Sequence, residues 1–164
     1  MIKIAEYIKG LKKKKFSNER LLNDSEIEIA KFLGIGTFAR VKIVNISRAD
    51  FRGTLNDEAV MLLDRFGLVK DTTNAITLGD RIFLFKSDDE RRTIAHELVH
   101  IYQYEKLGID IFVQVYLDEY IGKKKNTRIP MEVPAYEFGN DYKANGYCLD
   151  KINRYKYKII PPAD

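Results

Sequence analysis

Both histidines of this 164-residue chain fall in one stretch, TIAHELVHIYQ, at positions 96 and 100. In a helix, side chains four residues apart project from one face, about one turn apart. Two imidazoles so placed can reach a single Zn2+ at roughly 2.0–2.1 Å. Glu97 lies one step round from His96, beside the metal's open position instead of on the metal. There it can take a proton from a zinc-bound water, whose pKa the metal lowers to about 7. The competing reading is a pair of packed histidines next to a solvated glutamate. It is disfavoured because the chain's only two histidines stand at ligand spacing with a glutamate in the required slot.

The motif demands a helix, and its flanks carry the signals for one. Ser87 and Glu90 have the spacing of a capping box. The acidic residues there suit the positive end of a helix dipole, and Gly108 is a stop. Leu98, Val99 and Ile101 give the helix apolar surface to bury. Upstream, Ala75–Leu78 and Arg81–Phe85 flank Gly79-Asp80 and read as a hairpin. Ala39–Ile46 alternates and is rich in β-branched residues, which predicts a half-buried strand.

Helices are predicted from Ile2 to Leu11, around Asp24 to Phe32 with Asp24 or Ser25 as cap and Gly34 as stop, and over Asn56–Phe66 ending at Gly67. Ile109–Ile121 forms a further helix, and Pro130 or Pro134 opens a last one that fades near Gly146. This order predicts one α+β domain over residues 1–164.

Composition removes several function classes. Hydrophobic residues at 45% and charged residues at 32% argue against wholesale disorder. No apolar stretch approaches the length of a membrane span. The single cysteine, Cys148, excludes an internal disulfide framework. In MIKIAEYIKGLKKKK the lysines follow the apolar residues, so it is no secretory signal; a cytoplasmic protein is expected, with export free of a cleaved signal still open. The net charge of +4 is concentrated in Lys12–Lys15, Lys123–Lys125 and a tail of Lys151, Arg154, Lys156 and Lys158. No RNA-binding signature accompanies these runs, which read as solvated loops and helix ends, and no nucleic-acid partner is expected.

Zinc needs a third protein ligand, because two imidazoles leave a tetrahedral site half empty. Glu105, Asp110, Asp118, Glu119, Glu132, Glu137 and Asp141 are the downstream candidates. Glu105, nine residues from His96 on the same helix, would face away. The residues alone do not choose among the others.

NAITLGDRIFLF, the acidic cap, TIAHELVHIYQYEKLG and RIPMEVPAYEFG together resemble the small bacterial gluzincin-like metallopeptidase domains often encoded with extracellular contractile injection systems. The likeness covers roughly residues 39–145 and leaves 1–36 as an N-terminal helical segment, expected to complete the core rather than cover the site. HELVHIYQ is its most specific part. The resemblance implies a zincin-like fold, Zn2+ on His96 and His100, Glu97 as general base and Glu132 as third ligand. Pro134 departs from the family pattern, which has a glutamate there. A proline is tolerable only in a helix's first turn, so it could shift the helix start and bring in Glu137, with Asp141 one turn on. Tyr136 and Tyr142 are candidates to stabilise an oxyanion.

The function expected is zinc-dependent hydrolysis of a peptide or protein substrate. The alternative is a zinc-stabilised, non-catalytic toxin, cargo or adaptor module with a secretion-apparatus partner.

Overall fold

The computed structural model describes residues 2–65, 68–122 and 129–145. In chain order these form α1 (Ile2–Leu11), β1 (Glu19–Leu21), α2 (Asp24–Leu33), a 3-10 turn (Phe38–Arg40), β2 (Lys42–Asn45), α3 (Arg48–Gly53), α4 (Asp57–Arg65), β3 (Ala75–Leu78), β4 (Arg81–Leu84), α5 (Glu90–Gly122) and α6 (Glu132–Asn145). The class is α+β. The sheet is small and mixed, in the order β1-β2-β4-β3. β1 runs antiparallel to β2, β2 parallel to β4, and β3 antiparallel to β4 across the Gly79-Asp80 turn.

Strand β4 is buried along its whole length, because both faces of the sheet are covered. The period of two sends alternate residues into different cores. Ile82 and Leu84 join Ile43, Ala75, Ile29 of α2, Leu98 of α5 and Phe138 of α6. Phe83 instead meets Val44, Phe51 of α3, Ile8 of α1 and Phe112 of α5. Full burial of each such Phe stabilises the fold by about 1.5–3 kcal/mol. Ala5, Ile8 and Leu11 of α1 are themselves buried, so the N-terminal helix completes the second core.

Helix α5 serves both cores and is broken part-way along. Gly108 stands at φ 75°, ψ 163°, a non-helical conformation within Glu90–Gly122. Ile94–Ile101 pack on the first core and Phe112, Val113 and Leu117 on the second. The predicted stop at Gly108 is therefore a break between two helices that follow one another without a loop.

Other boundaries moved. Helix α2 is capped by Asn23, not by Asp24 or Ser25. The Asn23 side chain accepts from Glu26 N at 3.0 Å, and the Glu26 carboxylate accepts from Asn23 N at 2.8 Å. Ser87 and Glu90 do not form their capping box. Asp89 accepts from Arg92 N at 3.2 Å, while the Ser87 hydroxyl pairs with that of Thr93 at 2.8 Å. The strand predicted over Ala39–Ile46 opens as the 3-10 turn, and only Lys42–Asn45 finds partners in β1 and β4.

β1 and α3 were not legible: three residues show no period, and α3 is under two turns long. Lys12–Lys15 are exposed, as expected of a solvated run. Gly67, Lys123–Lys125, Gly146, Cys148 and the basic tail lie outside the described residues. Among the described residues no helix is long and apolar enough to cross a membrane.

The Gly108 backbone lies in a region that only glycine occupies without strain, although a β-carbon there would meet nothing within 4 Å. Gly108→Ala is expected to lower unfolding free energy by about 1–3 kcal/mol through the backbone alone, as read by urea denaturation.

Candidate metal centre

His96 and His100 sit one turn apart on the first half of α5, with their Nε2 atoms 3.2 Å apart. Glu132 is the first residue of α6. Its Oε2 lies 3.2 Å from His96 Nε2, and its Oε1 lies 3.4 Å from His100 Nε2. One ligand atom from each of the three residues falls within 4.8 Å of the other two. Two imidazole nitrogens and a carboxylate that converge at the lining of a cleft are a donor set that would suit zinc.

The close approach of α6 makes this convergence possible. Gly139 lies two turns beyond Glu132 on the same face. A β-carbon there would stand 3.1 Å from the carbonyl of Arg92 and 3.3 Å from His96 Cβ. Ala135 and Phe138 pack into the first core from the same helix. Pro134 is the third residue of α6, within the first turn, where a backbone N–H has no intrahelical acceptor to lose. The helix start is thus compatible with proline, and Glu132 keeps its position. Glu137 lies five residues on, about 140° further round the helix, and adds no atom to the cluster.

Three of the remaining carboxylates have other work. Glu105 accepts from Gly36 N and Thr37 N, both at 3.0 Å, and from the Thr37 hydroxyl at 2.8 Å, so it ties the loop after α2 to α5. Asp110 pairs with Lys9 at 2.6 Å, which anchors α1. Glu119 accepts from Met131 N at 2.9 Å, Asp118 is exposed and Asp141 is half-buried.

Glu97 is buried, with Oε1 4.0 Å from His96 Nε2. Its Oε2 accepts a 2.6 Å hydrogen bond from the Thr77 hydroxyl of β3, the strand facing this turn of α5. The Tyr116 hydroxyl donates to Glu132 Oε1 at 2.7 Å. Neither Thr77 nor Tyr116 was singled out from sequence, since nothing local marks which polar residues of neighbouring elements will meet. The rings of Tyr136 and His96 meet in a T-shaped contact with centroids 4.6 Å apart, and Tyr136 is 45% exposed; Tyr142 is buried in the core.

Charges at the centre are strongly coupled. Burial is the largest single influence on His100 and disfavours its charged form, but the Glu132 carboxylate, the Glu97 carboxylate and the bond to Gln103 together outweigh it and push the imidazole up to about 9. Burial likewise opposes a charged Glu132, yet His100 and His96 hold its carboxyl well below the usual range. Tyr116, buried and facing Glu132, is driven well above the usual phenol range.

The cluster opens into a cleft of about 870 Å3. Ile4 and Ile8 of α1, Leu63 of α4 and Leu117 of α5 line one part, and strand β3 forms a wall. β3 pairs with β4 on one side only and is the edge of the sheet. In a two-residue hairpin the residues flanking the turn pair through their backbones, so the N–H and C=O of Ala75 and Thr77 point away from β4.

Residues 70–108 match the family model of the eCIS core domain, which links the chain to extracellular contractile injection systems. The matched span runs from the approach to β3, through the hairpin and both histidines, to the break at Gly108. No curated protein matches the chain, and no solved structure does.

The ion pair has a consequence for stability without metal. The folded pKa of His100, about 9, exceeds its ordinary 6.5, so its contribution is complete below pH 6.5 and is lost as pH rises through 9. Glu132 is depressed, so its contribution is present above its ordinary 4.5 and lost only as pH falls through the folded value. In chelator, urea denaturation should show stability declining between pH 6.5 and 9, and Glu132→Gln should flatten that decline.

Proposed function

We propose that this chain is a zinc-dependent peptide-bond hydrolase of gluzincin type with a zincin-like fold, using His96, His100 and Glu132 as ligands and Glu97 as general base. The reading rests on one observation above others: the three donor atoms lie within 4.8 Å of one another while the Glu97 carboxylate stands 4.0 Å from His96 Nε2. When bound, zinc supplies Lewis-acid polarisation of a substrate carbonyl and acidifies a water.

The chain's own residues do the rest. Glu97 takes the proton of the attacking water on a carboxylate oxygen and delivers it to the nitrogen of the departing amine. Thr77, donating to Glu97 Oε2, keeps the other oxygen turned toward the histidines. The outward N–H and C=O groups of β3 suit an extended peptide, which would lie against the edge as an added strand. Tyr136, exposed and with its ring beside His96, is the tyrosine we assign to the oxyanion.

The match to the eCIS core domain favours a second reading, a zinc-stabilised toxin, cargo or adaptor module that meets a secretion apparatus without turnover. Both readings need zinc, and they part at Glu97. Purified protein should hold one zinc per chain and cleave an unfolded protein. Glu97→Gln should keep the zinc and lose about 10^2–10^4-fold in kcat/KM. Zinc without cleavage supports the adaptor reading; protein that takes up no zinc rejects both.

A further inference from the structure

Gln103 lies three residues after His100 on α5 and is fully buried. Its side chain stands between two parts of the site that are distant in sequence. Gln103 Oε1 is 2.8 Å from His100 Nδ1, and its Nε2 donates to the backbone carbonyl of Met131 at 3.0 Å. Met131 immediately precedes Glu132, and its own N–H is held by Glu119. Both backbone groups of the residue before the carboxylate ligand are therefore bonded to α5.

The chemistry of the two contacts decides which way the amide points. A carbonyl such as Met131 O can only accept, so the Gln103 NH2 must face it. The amide oxygen then faces His100 Nδ1 and can only accept, which requires Nδ1 to carry a hydrogen. With Nδ1 committed as a donor, Nε2 is the nitrogen of His100 left to ligate. It is also the one already 3.2 Å from His96 Nε2 and 3.4 Å from Glu132 Oε1.

We propose that Gln103 is a positioning residue that sets the ligating nitrogen of His100 and, through the same amide, ties the start of α6 so that Glu132 meets the histidines. This rests on the zinc reading above and deepens it, because the two halves of the ligand set become one unit joined by a single buried side chain. A residue holding only the core would be replaceable by an apolar side chain of similar size. Gln103 would not be, since both its polar ends are engaged. Ligating histidines depend on such a partner for ring orientation and basicity, and its loss weakens metal binding by ~10–100-fold.

The test compares wild type, Gln103→Leu and Gln103→Glu in the full chain, by zinc titration against a competing chelator and by hydrogen exchange in chelator. Gln103→Leu is expected to bind zinc ~10–100-fold more weakly and to exchange faster in the first turn of α6. Gln103→Glu keeps an acceptor for Nδ1 but loses the donor to the Met131 carbonyl. It is therefore expected to keep His100 ligating through Nε2, to recover only part of the affinity and to exchange as fast as Gln103→Leu in the first turn of α6. Nitrogen NMR of zinc-loaded wild type is expected to show His100 ligating through Nε2 with Nδ1 protonated, a readout that survives if a variant fails to fold. Unchanged affinity in a folded Gln103→Leu protein, or ligation through Nδ1, overturns the proposal while leaving the zinc reading standing. Wild type that binds no zinc overturns both.

Discussion

The distance between α5 and α6 governs the site. At Gly139 the two helices come so close that one β-carbon would press on the Arg92 carbonyl and on His96. With hydrogen in that position, α6 lies flat enough on α5 for its first residue to reach both imidazoles. The apolar side chains around the contact, Ala135 and Phe138 from α6 and Ile94, Ala95 and Leu98 from α5, are all buried and supply the attraction. The polar bonds set the register along the contact. Gln103 holds the Met131 carbonyl, Glu119 holds the Met131 N–H and Tyr116 holds Glu132.

The same economy of buried polar groups appears on the opposite side of the motif. Glu97 would be costly inside the protein without a partner, and Thr77 from the edge strand provides one. The hairpin therefore orients the proposed base as well as bordering the cleft. That one family match covers the hairpin and the first half of α5 together is consistent with their acting as a unit. Helix α6, which carries the proposed third ligand, lies beyond the matched span.

Much of the fold was legible where the signal was local. The hairpin, the break at Gly108 and the helix around the histidines follow from turn residues, glycine and short-range period. The errors were local as well, and each had a competitor of nearly equal chemistry. Asn23 outcompeted Asp24 and Ser25 because its extended backbone lets Glu26 close the box from the other side. Asp89 outcompeted Ser87, whose hydroxyl went to Thr93. The parallel pairing of β2 with β4, the coverage of both sheet faces and the strand β1 had no such signal, since pairing between distant segments leaves no short-range mark.

For the candidate centre the division is sharper. The arrangement of His96, Glu97 and His100 was determined by the sequence alone, because a helix repeats every 3.6 residues and fixes which neighbours share a face. The carboxylate that completes the cluster could not be chosen that way: Glu105 faces away on the same helix, and Asp110, Glu119 and Glu132 offer the same group until the helices pack. Packing sent the first to a loop, the second to Lys9, the third to a backbone N–H and the fourth to the histidines. Only tertiary structure could make that assignment, since it depends on the separation of α5 and α6, which is set by a glycine and a buried apolar seam rather than by any ligand's own neighbours.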